Sequence, residues 1–273
     1  MLLFLITMSL LSFFLRTPQH YDVFGPQGGI ATTLTLPEGF NPETDHCPMV
    51  ILMHGFMARR EMYPMPAIAT ALAKEGIASI RFDFDAHGKS EGKFINMTLS
   101  NEVADAKAIW DYVQTLPYVT RTAFVGHSQG GVIAGILAGQ LEDTPAKPDC
   151  LVQLAPAAVL KDDALKGQCM NAKYNPADPP EYVSVFFHKL GRAFIVEAQK
   201  YPIFETSAKY TGKVCLIHGT KDKIVPLSYS EKYHEVYPDS ELHVLEGEGH
   251  FLSGDKKHIL GLITDFLKKQ LLD

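Results

Sequence analysis

The chain has 273 residues, of which 46% are apolar and 21% are charged, and its formal net charge is −6. This composition supplies a large hydrophobic core, and the length suits an α/β domain that carries an insertion. The mixed charges include no basic block that would neutralise phosphates, which argues against a nucleic-acid partner.

Residues 1–16 form an N-terminal segment that is apolar apart from one Thr, two Ser and the final Arg16. The segment is too short to cross a bilayer of about 30 Å comfortably as a helix, so we expect no stable membrane span. It has the length of the apolar part of an export signal, but no Lys or Arg precedes it and no A-x-A site follows. An export signal, a short anchor and a misassigned start codon stay open. Export is favoured, with a cytoplasmic location as the alternative, and the fold is predicted for residues 17–273.

Short apolar runs alternate with helix-like segments along the rest of the chain. A hairpin is predicted around residues 28–29, with 30–36 as one strand. Further strands are predicted at 49–53, 78–83, 123–125, 150–154, 214–218 and 242–245, and helices at 67–74, 102–115, 132–138, 229–236 and 256–271. This alternation predicts βαβ units and a doubly wound, mostly parallel sheet.

Residues from about 160 to 207 break the alternation, because no apolar strand occurs there. The segment contains the Pro- and Asp-rich stretch 175–180, followed by aromatic residues at 182–187 and by Phe194. A long segment of this kind inside a compact domain is usually functional or disordered, and its aromatic content argues against disorder. We therefore predict a small lid insertion at about 160–207.

Cysteines give no sign of a disulfide framework or of a redox motif. Cys47, Cys150, Cys169 and Cys215 are widely spaced and form no C-x-x-C pair. Cys150 and Cys215 lie in apolar strand-like runs, where buried free thiols are expected. A disulfide involving Cys47 and Cys169 stays open, and nothing in the sequence supports it.

A G-x-S-x-G motif, centred on Ser128, lies between the strand at 123–125 and the helix at 132–138. This context is typical of a nucleophile elbow, the sharp turn that presents a serine hydroxyl above a parallel sheet. The turn is so tight that side chains at positions 126 and 130 would meet neighbouring backbone, which explains Gly126 and Gly130. Ser128 is therefore the predicted nucleophile.

An acid and a histidine follow two strands downstream of Ser128. Ligands of open α/β sheets bind beyond the carboxyl ends of the strands, where Asp222 and His250 are predicted to lie. The order Ser, Asp, His is the order expected for an elbow on such a sheet. His250 would deprotonate Ser128, and Asp222 would orient the imidazole and stabilise its cation. The alternatives are a turn cap for Asp222 and a core histidine for His250.

An oxyanion hole needs two backbone N–H groups near the nucleophile. Gln129 begins the helix after Ser128, where the dipole favours negative charge, and Phe56 follows the strand at 49–53. His54 and His127 adjoin these groups, and structural hydrogen bonding is favoured over catalysis for both. No metal-ligand spacing, G-x-G-x-x-G or P-loop motif occurs, so no metal or cofactor is expected.

Seven segments of the chain carry a resemblance to known proteins: 54–56, 77–84, 88–94, 126–131, 154–158, 174–176 and 215–220. Through them the sequence, from about residue 21 onward, resembles the α/β-hydrolase superfamily and, more narrowly, bacterial cinnamoyl and feruloyl esterases with a small insertion over the site. The elbow is common to the superfamily, whereas the combination of motifs through the insertion is more specific.

The resemblance implies hydrolysis of feruloyl, p-coumaroyl or caffeoyl esters of plant-derived alcohols or sugars. It also implies that Asp163 binds the ring hydroxyl of the substrate. Phe194 stands where some relatives have an assisting tyrosine, and Tyr174 or Tyr182 is the candidate substitute. Aromatic side chains in the insertion favour a flat acyl group, although any one of them is equally well explained as lid core.

Other functions remain as alternatives to a hydroxycinnamoyl esterase. A broad carboxylesterase or acylglycerol lipase would use the lid for alkyl chains. A non-catalytic hydrolase-like binding protein is disfavoured, because such proteins typically lose a triad member. The expected partner is a small aromatic ester, and a homodimer is left open.

Overall fold

The computed structural model describes residues 21–273, so the predicted N-terminal segment of residues 1–16 lies outside the described residues. The strands are β1 (Val23–Gly25), β2 (Gly28–Ile30), β3 (Thr32–Thr35), β4 (Cys47–Met53), β5 (Ala78–Phe82), β6 (Val119–His127), β7 (Cys150–Leu154), β8 (Gln168–Cys169), β9 (Ala172–Lys173), β10 (Tyr182–Val185), β11 (His188–Gly191), β12 (Lys213–Gly219) and β13 (Ser240–Leu245). The helices are α1 (Met65–Lys74), α2 (Leu99–Gln114), α3 (Gln129–Leu141), α4 (Val159–Lys166), α5 (Arg192–Lys200), α6 (Ile203–Ser207), α7 (Ser228–Val236) and α8 (Lys256–Leu271).

Seven of these strands form the central sheet, in the order β13-β12-β7-β6-β4-β5-β3. Neighbouring strands are parallel except for β3, which runs antiparallel to β5. The predicted doubly wound, mostly parallel sheet is thereby confirmed. Its carboxyl-terminal edge holds the ends of β6 and β12 and the loops that follow them, so this edge positions the candidate site.

Both faces of the sheet are covered, as the side chains of β4 illustrate. All seven residues of β4 are buried. Met49, Ile51 and Met53 belong to one apolar cluster, whereas Val50 and Leu52 belong to a second. Because successive side chains of a strand point to opposite faces, the two clusters are the cores on either side of the sheet.

The opening of the chain differs from the prediction. The hairpin turns at residues 26–27 rather than 28–29, because Val23 pairs with Ile30 and Gly25 pairs with Gly28. The predicted strand at 30–36 divides at Ala31, whose N–H donates to Ser90 Oγ (2.8 Å) and whose carbonyl accepts from Asp83 N (2.9 Å). An alternating sequence predicts an extended chain but does not identify the strand with which that chain pairs. Here the residues of one predicted strand pair in two different sheets.

The segment from about 160 to 207 contributes no strand to the central sheet. Its four short strands form two separate hairpins, β8–β9 and β10–β11. Helix α4 precedes these hairpins in the sequence, and helices α5 and α6 follow them. Helix α4 packs against α5. The sequence predicts no strand in this stretch, so these short strands differ from the prediction, although none of them joins the central sheet.

Candidate active site

Ser128 lies in a strained turn between β6 and α3, with φ 57° and ψ −122°. A Cβ atom at Gly126 would lie 2.2 Å from the carbonyl oxygen of Gly130. A Cβ atom at Gly130 would lie 2.3 Å from the carbonyl oxygens of Met53 and His54. Only glycine fits at these two positions, so the local sequence and the backbone agree on a nucleophile elbow.

The structure brings Ser128, His250 and Asp222 into one hydrogen-bonded line. His250 Nε2 accepts from Ser128 Oγ at 2.9 Å, and His250 Nδ1 donates to Asp222 Oδ2 at 2.7 Å. The side chain of Asp222 is 1% exposed and that of His250 is 6% exposed. This arrangement allows the imidazole to take the hydroxyl proton while the carboxylate fixes its tautomer.

Asp222 is held as a carboxylate by several donors. Burial alone would raise its pKa, but hydrogen bonds from His218, His250 and the Val225 N–H outweigh burial and hold the pKa well below its ordinary value. His218 Nε2 lies 3.2 Å from Asp222 Oδ2, and its side chain is fully buried. His218 is a site residue that the sequence motifs did not single out. Its position four residues before Asp222, at the end of β12, is the signal that would have pointed to it.

His54 and His127 are buried and make hydrogen bonds to backbone. His54 Nδ1 donates to the Gly55 carbonyl (2.8 Å), and its Nε2 accepts from the Phe84 N–H (3.1 Å). His127 Nε2 donates to the carbonyl of His250 (2.9 Å). Burial lowers the pKa of His54 to about 3 and that of His127 to about 4, so both are neutral at physiological pH. These contacts agree with the structural interpretation.

Gln129 and Phe56 both adjoin Ser128. Gln129 is the first residue of α3, and the first N–H groups of a helix have no acceptor within it. Phe56 belongs to the loop after β4, and this loop touches the elbow, since a Cβ atom at Gly55 would lie 2.9 Å from Ser128 Cβ. Both residues line the cavity in front of Ser128. Two N–H groups so placed could receive an oxyanion.

A cavity of about 560 Å³ opens in front of Ser128 and is lined in part by residues of the segment from about 160 to 207. Asp163, Tyr174 and Phe194, the three residues predicted to contact substrate, all line it. Gln168 Nε2 donates to Asp163 Oδ1 (2.6 Å), and the Tyr174 hydroxyl donates to the Gln168 carbonyl (3.2 Å). The cavity is therefore lined by apolar and polar side chains together, with Lys166, Gln168 and Lys223 in addition to Asp163.

The cavity also distinguishes between the two candidate tyrosines. Tyr174 lines it, and burial raises the pKa of Tyr174 to about 12. Tyr182 is not among the lining residues. It lies on β10, where the Lys189 ammonium is 4.3 Å from its ring centroid. Phe194 is 4% exposed, and its ring centroid is 6.2 Å from that of Phe56.

Tyr229 lines the cavity although no sequence motif points to it. It lies in the first turn of α7, and its hydroxyl donates to Asp162 Oδ2 at 2.5 Å. Asp162 precedes Asp163 on α4, so adjacent acids bind different partners. Tyr229 and Asp162 are 67 residues apart, and no local pattern in the sequence links them.

All four cysteines are free, including Cys47 and Cys169.

Among residues 21–273, one group brings three suitable metal-ligand atoms within 4.8 Å of one another: Cys215, Glu241 and His243. This group lies toward the amino ends of β12 and β13, whereas Asp222 and His250 follow their carboxyl ends. No helix of the described chain is both long and apolar enough to cross a bilayer.

Comparison with known proteins finds sequences and solved structures that are similar to this chain. The family described as serine aminopeptidase, S33, matches residues 44–178, slightly less than half of the chain. Mouse palmitoyl-protein thioesterase ABHD10 is 27% identical over 79% of this chain and 73% of its own length. The monoacylglycerol lipase of Mycolicibacterium smegmatis is 24% identical over 89% of this chain and 96% of its own length. The ferulic acid-bound structure of Est1E from Butyrivibrio proteoclasticus superposes with a TM-score of 0.83, at 28% identity, over 89% of this chain and 95% of that chain.

The sheet, the elbow and these similarities together define an α/β-hydrolase. Within that superfamily the protein is a hydrolase of the serine type, the group that includes esterases, thioesterases and lipases.

Proposed function

We propose that the protein is a serine esterase that hydrolyses hydroxycinnamoyl esters, with Ser128, His250 and Asp222 as its catalytic residues. The observation that carries the proposal is the continuous hydrogen-bonded line from Ser128 Oγ through His250 to Asp222, with distances of 2.9 and 2.7 Å, beside a cavity that Ser128 and several aromatic side chains line.

In this mechanism His250 Nε2 takes the proton of Ser128 as Oγ attacks the ester carbonyl carbon. The carbonyl oxygen becomes negative and is stabilised by the N–H groups of Phe56 and Gln129. His250 then gives its proton to the leaving alcohol, which leaves an acyl group on Ser128. A water molecule, deprotonated by His250, attacks the acyl carbon, and the carboxylic acid is released with Ser128 reprotonated.

The acyl group is proposed to lie under the insertion, with Asp163 accepting a hydrogen bond from the phenolic hydroxyl. Aromatic and apolar side chains of the cavity, including Phe56, Phe194 and Ile195, would pack against a flat ring. The similarity to Est1E, whose structure holds ferulic acid, supports this acyl group. In this interpretation residues 160–207 act as the lid.

A second candidate is an esterase or lipase for alkyl acyl chains. Met170 and Phe186 line the same cavity and are 49% and 52% exposed, so the cavity has an apolar rim that a long chain could cross. The similarity to a monoacylglycerol lipase and to a palmitoyl-protein thioesterase supports this alternative.

A substrate panel separates the candidates. It consists of the methyl esters of ferulic, p-coumaric, sinapic, butyric and palmitic acids, which share one leaving group, and an aminoacyl p-nitroanilide as a peptidase substrate. We expect kcat/KM to be highest for the ferulate or p-coumarate ester and no turnover of the anilide. Preference for either alkyl ester would favour the second candidate, and no turnover of any ester would refute both.

A further inference from the structure

The side chain of Gln129, the residue directly after Ser128, is anchored to a buried acid on another helix. Gln129 Nε2 donates to Glu102 Oε2 at 2.5 Å. Gln129 is 3% exposed and Glu102 is 1% exposed. Glu102 lies in the first turn of α2, which packs against α3, so this hydrogen bond ties the start of α3 to α2.

The surroundings of Glu102 favour its neutral form. Burial is the main cause that raises the pKa of Glu102 well above its ordinary value, and the carboxyl groups of Asp85, Asp105 and Glu197 raise it further. The Gln129 amide acts in the opposite direction without reversing the shift. Among the described residues, no basic side chain forms an ion pair with Glu102. A neutral acid suits this place, because a buried negative charge would oppose the charge that develops on the substrate oxygen.

We propose that Glu102 is a positioning residue for the oxyanion hole. It holds the Gln129 side chain against α2 and thereby keeps the Gln129 backbone N–H at the position where it meets the oxyanion. The proposal rests on the proposed esterase function. It requires the hydrogen bond of Glu102 and not its charge, so an uncharged side chain of the same shape should serve equally well.

Three variants test this role with p-nitrophenyl butyrate and methyl ferulate. Glu102→Gln should keep at least half of the wild-type kcat, because its amide oxygen still accepts from Gln129. Glu102→Leu should lose about tenfold in kcat with little change in KM, since a misplaced oxyanion donor costs less than the 10²- to 10³-fold seen when one is removed. Asp111→Asn, an exposed acid on the same helix, is the control and should match wild type.

Removal of the same hydrogen bond from its other end gives an independent measurement. Gln129→Leu should show a kcat loss like that of Glu102→Leu, and the double variant should lose no more than either single variant. Circular dichroism and Tm establish folding, and if Glu102→Leu does not fold, the Gln129→Leu and Glu102→Gln variants decide the question.

The proposal is overturned if both leucine variants keep kcat within twofold of wild type, if the Gln variant is as impaired as the Leu variant, or if the two losses multiply. Each of these outcomes requires an active wild type and an inactive Ser128→Ala variant as controls. It therefore refutes the positioning role and leaves the proposed function intact. If wild type hydrolyses no ester at all, the proposed function fails first and the positioning role falls with it.

Discussion

His250 Nε2 lies 2.9 Å from Ser128 Oγ although the two residues are 122 positions apart in the chain. The parallel pairing of β6, β7, β12 and β13 creates this proximity, because it aligns the carboxyl ends of strands that are distant in sequence. The hydrogen bond between these two residues is the contact on which the proposed chemistry depends.

Ser128→Ala should lower kcat for methyl ferulate and for p-nitrophenyl butyrate by about 10³-fold or more, because the attacking oxygen is lost. Initial rates at saturating substrate measure the effect. Ser228→Ala, at an exposed serine on α7, is the matched control and should be unchanged. A Ser128→Ala enzyme with wild-type turnover would remove the serine mechanism.

Asp222→Asn should lower kcat by about 10³- to 10⁴-fold, because the asparagine no longer holds His250 in the productive tautomer. The variant should also be less stable above about pH 4, the ordinary pKa of an aspartate. The native pKa of Asp222 is depressed, so its carboxylate stabilises the fold above that pH, and the benefit is lost as the pH falls towards the native pKa.

Steady-state rates and Tm from pH 3 to pH 8 check both expectations for Asp222→Asn. Glu246→Gln changes an exposed acid in the loop that carries His250 and serves as the control. Equal activity losses in the two variants would refute the specific role of Asp222.

Asp105→Asn should stabilise the protein at pH 8 and much less at pH 4. Burial, with help from Asp85, raises the pKa of Asp105 to about 8, so wild type loses stability as the pH rises from about 4 to about 8. The asparagine still accepts the Asp85 N–H and never ionises. The free energy of unfolding should rise by a few kcal/mol at pH 8, because each pKa unit corresponds to about 1.4 kcal/mol.

Denaturant unfolding at pH 4 and pH 8 measures this difference between Asp105→Asn and wild type. Asp111→Asn is an exposed control, and a difference that does not depend on pH would contradict the expectation.

Asp163→Asn should reduce kcat/KM for methyl p-coumarate about tenfold more than for methyl cinnamate, which lacks the ring hydroxyl. The reason is that a hydrogen bond to a charged acceptor is stronger than one to a neutral amide. The unsubstituted ester controls for any general disturbance of the cavity. Equal losses for both substrates would show that Asp163 does not recognise the hydroxyl.

Phe194→Tyr should increase the preference for methyl ferulate over methyl cinnamate, because it adds a hydroxyl to the cavity wall beside Phe56. The ratio of kcat/KM values for the two esters measures this preference, and Tm reports any overpacking of this buried position. An unchanged ratio with unchanged Tm would mean that position 194 does not touch the phenolic group.

The sequence by itself determined the alternation of the elements and the identity of the elbow. Apolar periodicity marks the strands and helices, and the glycines around Ser128 are required by contacts within a few residues and with the adjoining loop. The order of Ser128, Asp222 and His250 along the chain also needed no coordinates. These features are predictable because they depend on local backbone geometry and on strand direction.

The tertiary structure alone decided which side chains meet across long separations. It divided the predicted strand at 30–36 between two sheets, placed His218 beside Asp222, and joined Tyr229 to Asp162. It also buried Glu102 against Gln129 among other acids. Such contacts depend on strand pairing and helix packing, and the periodicity that reveals a buried face does not say which residue of another element it will touch.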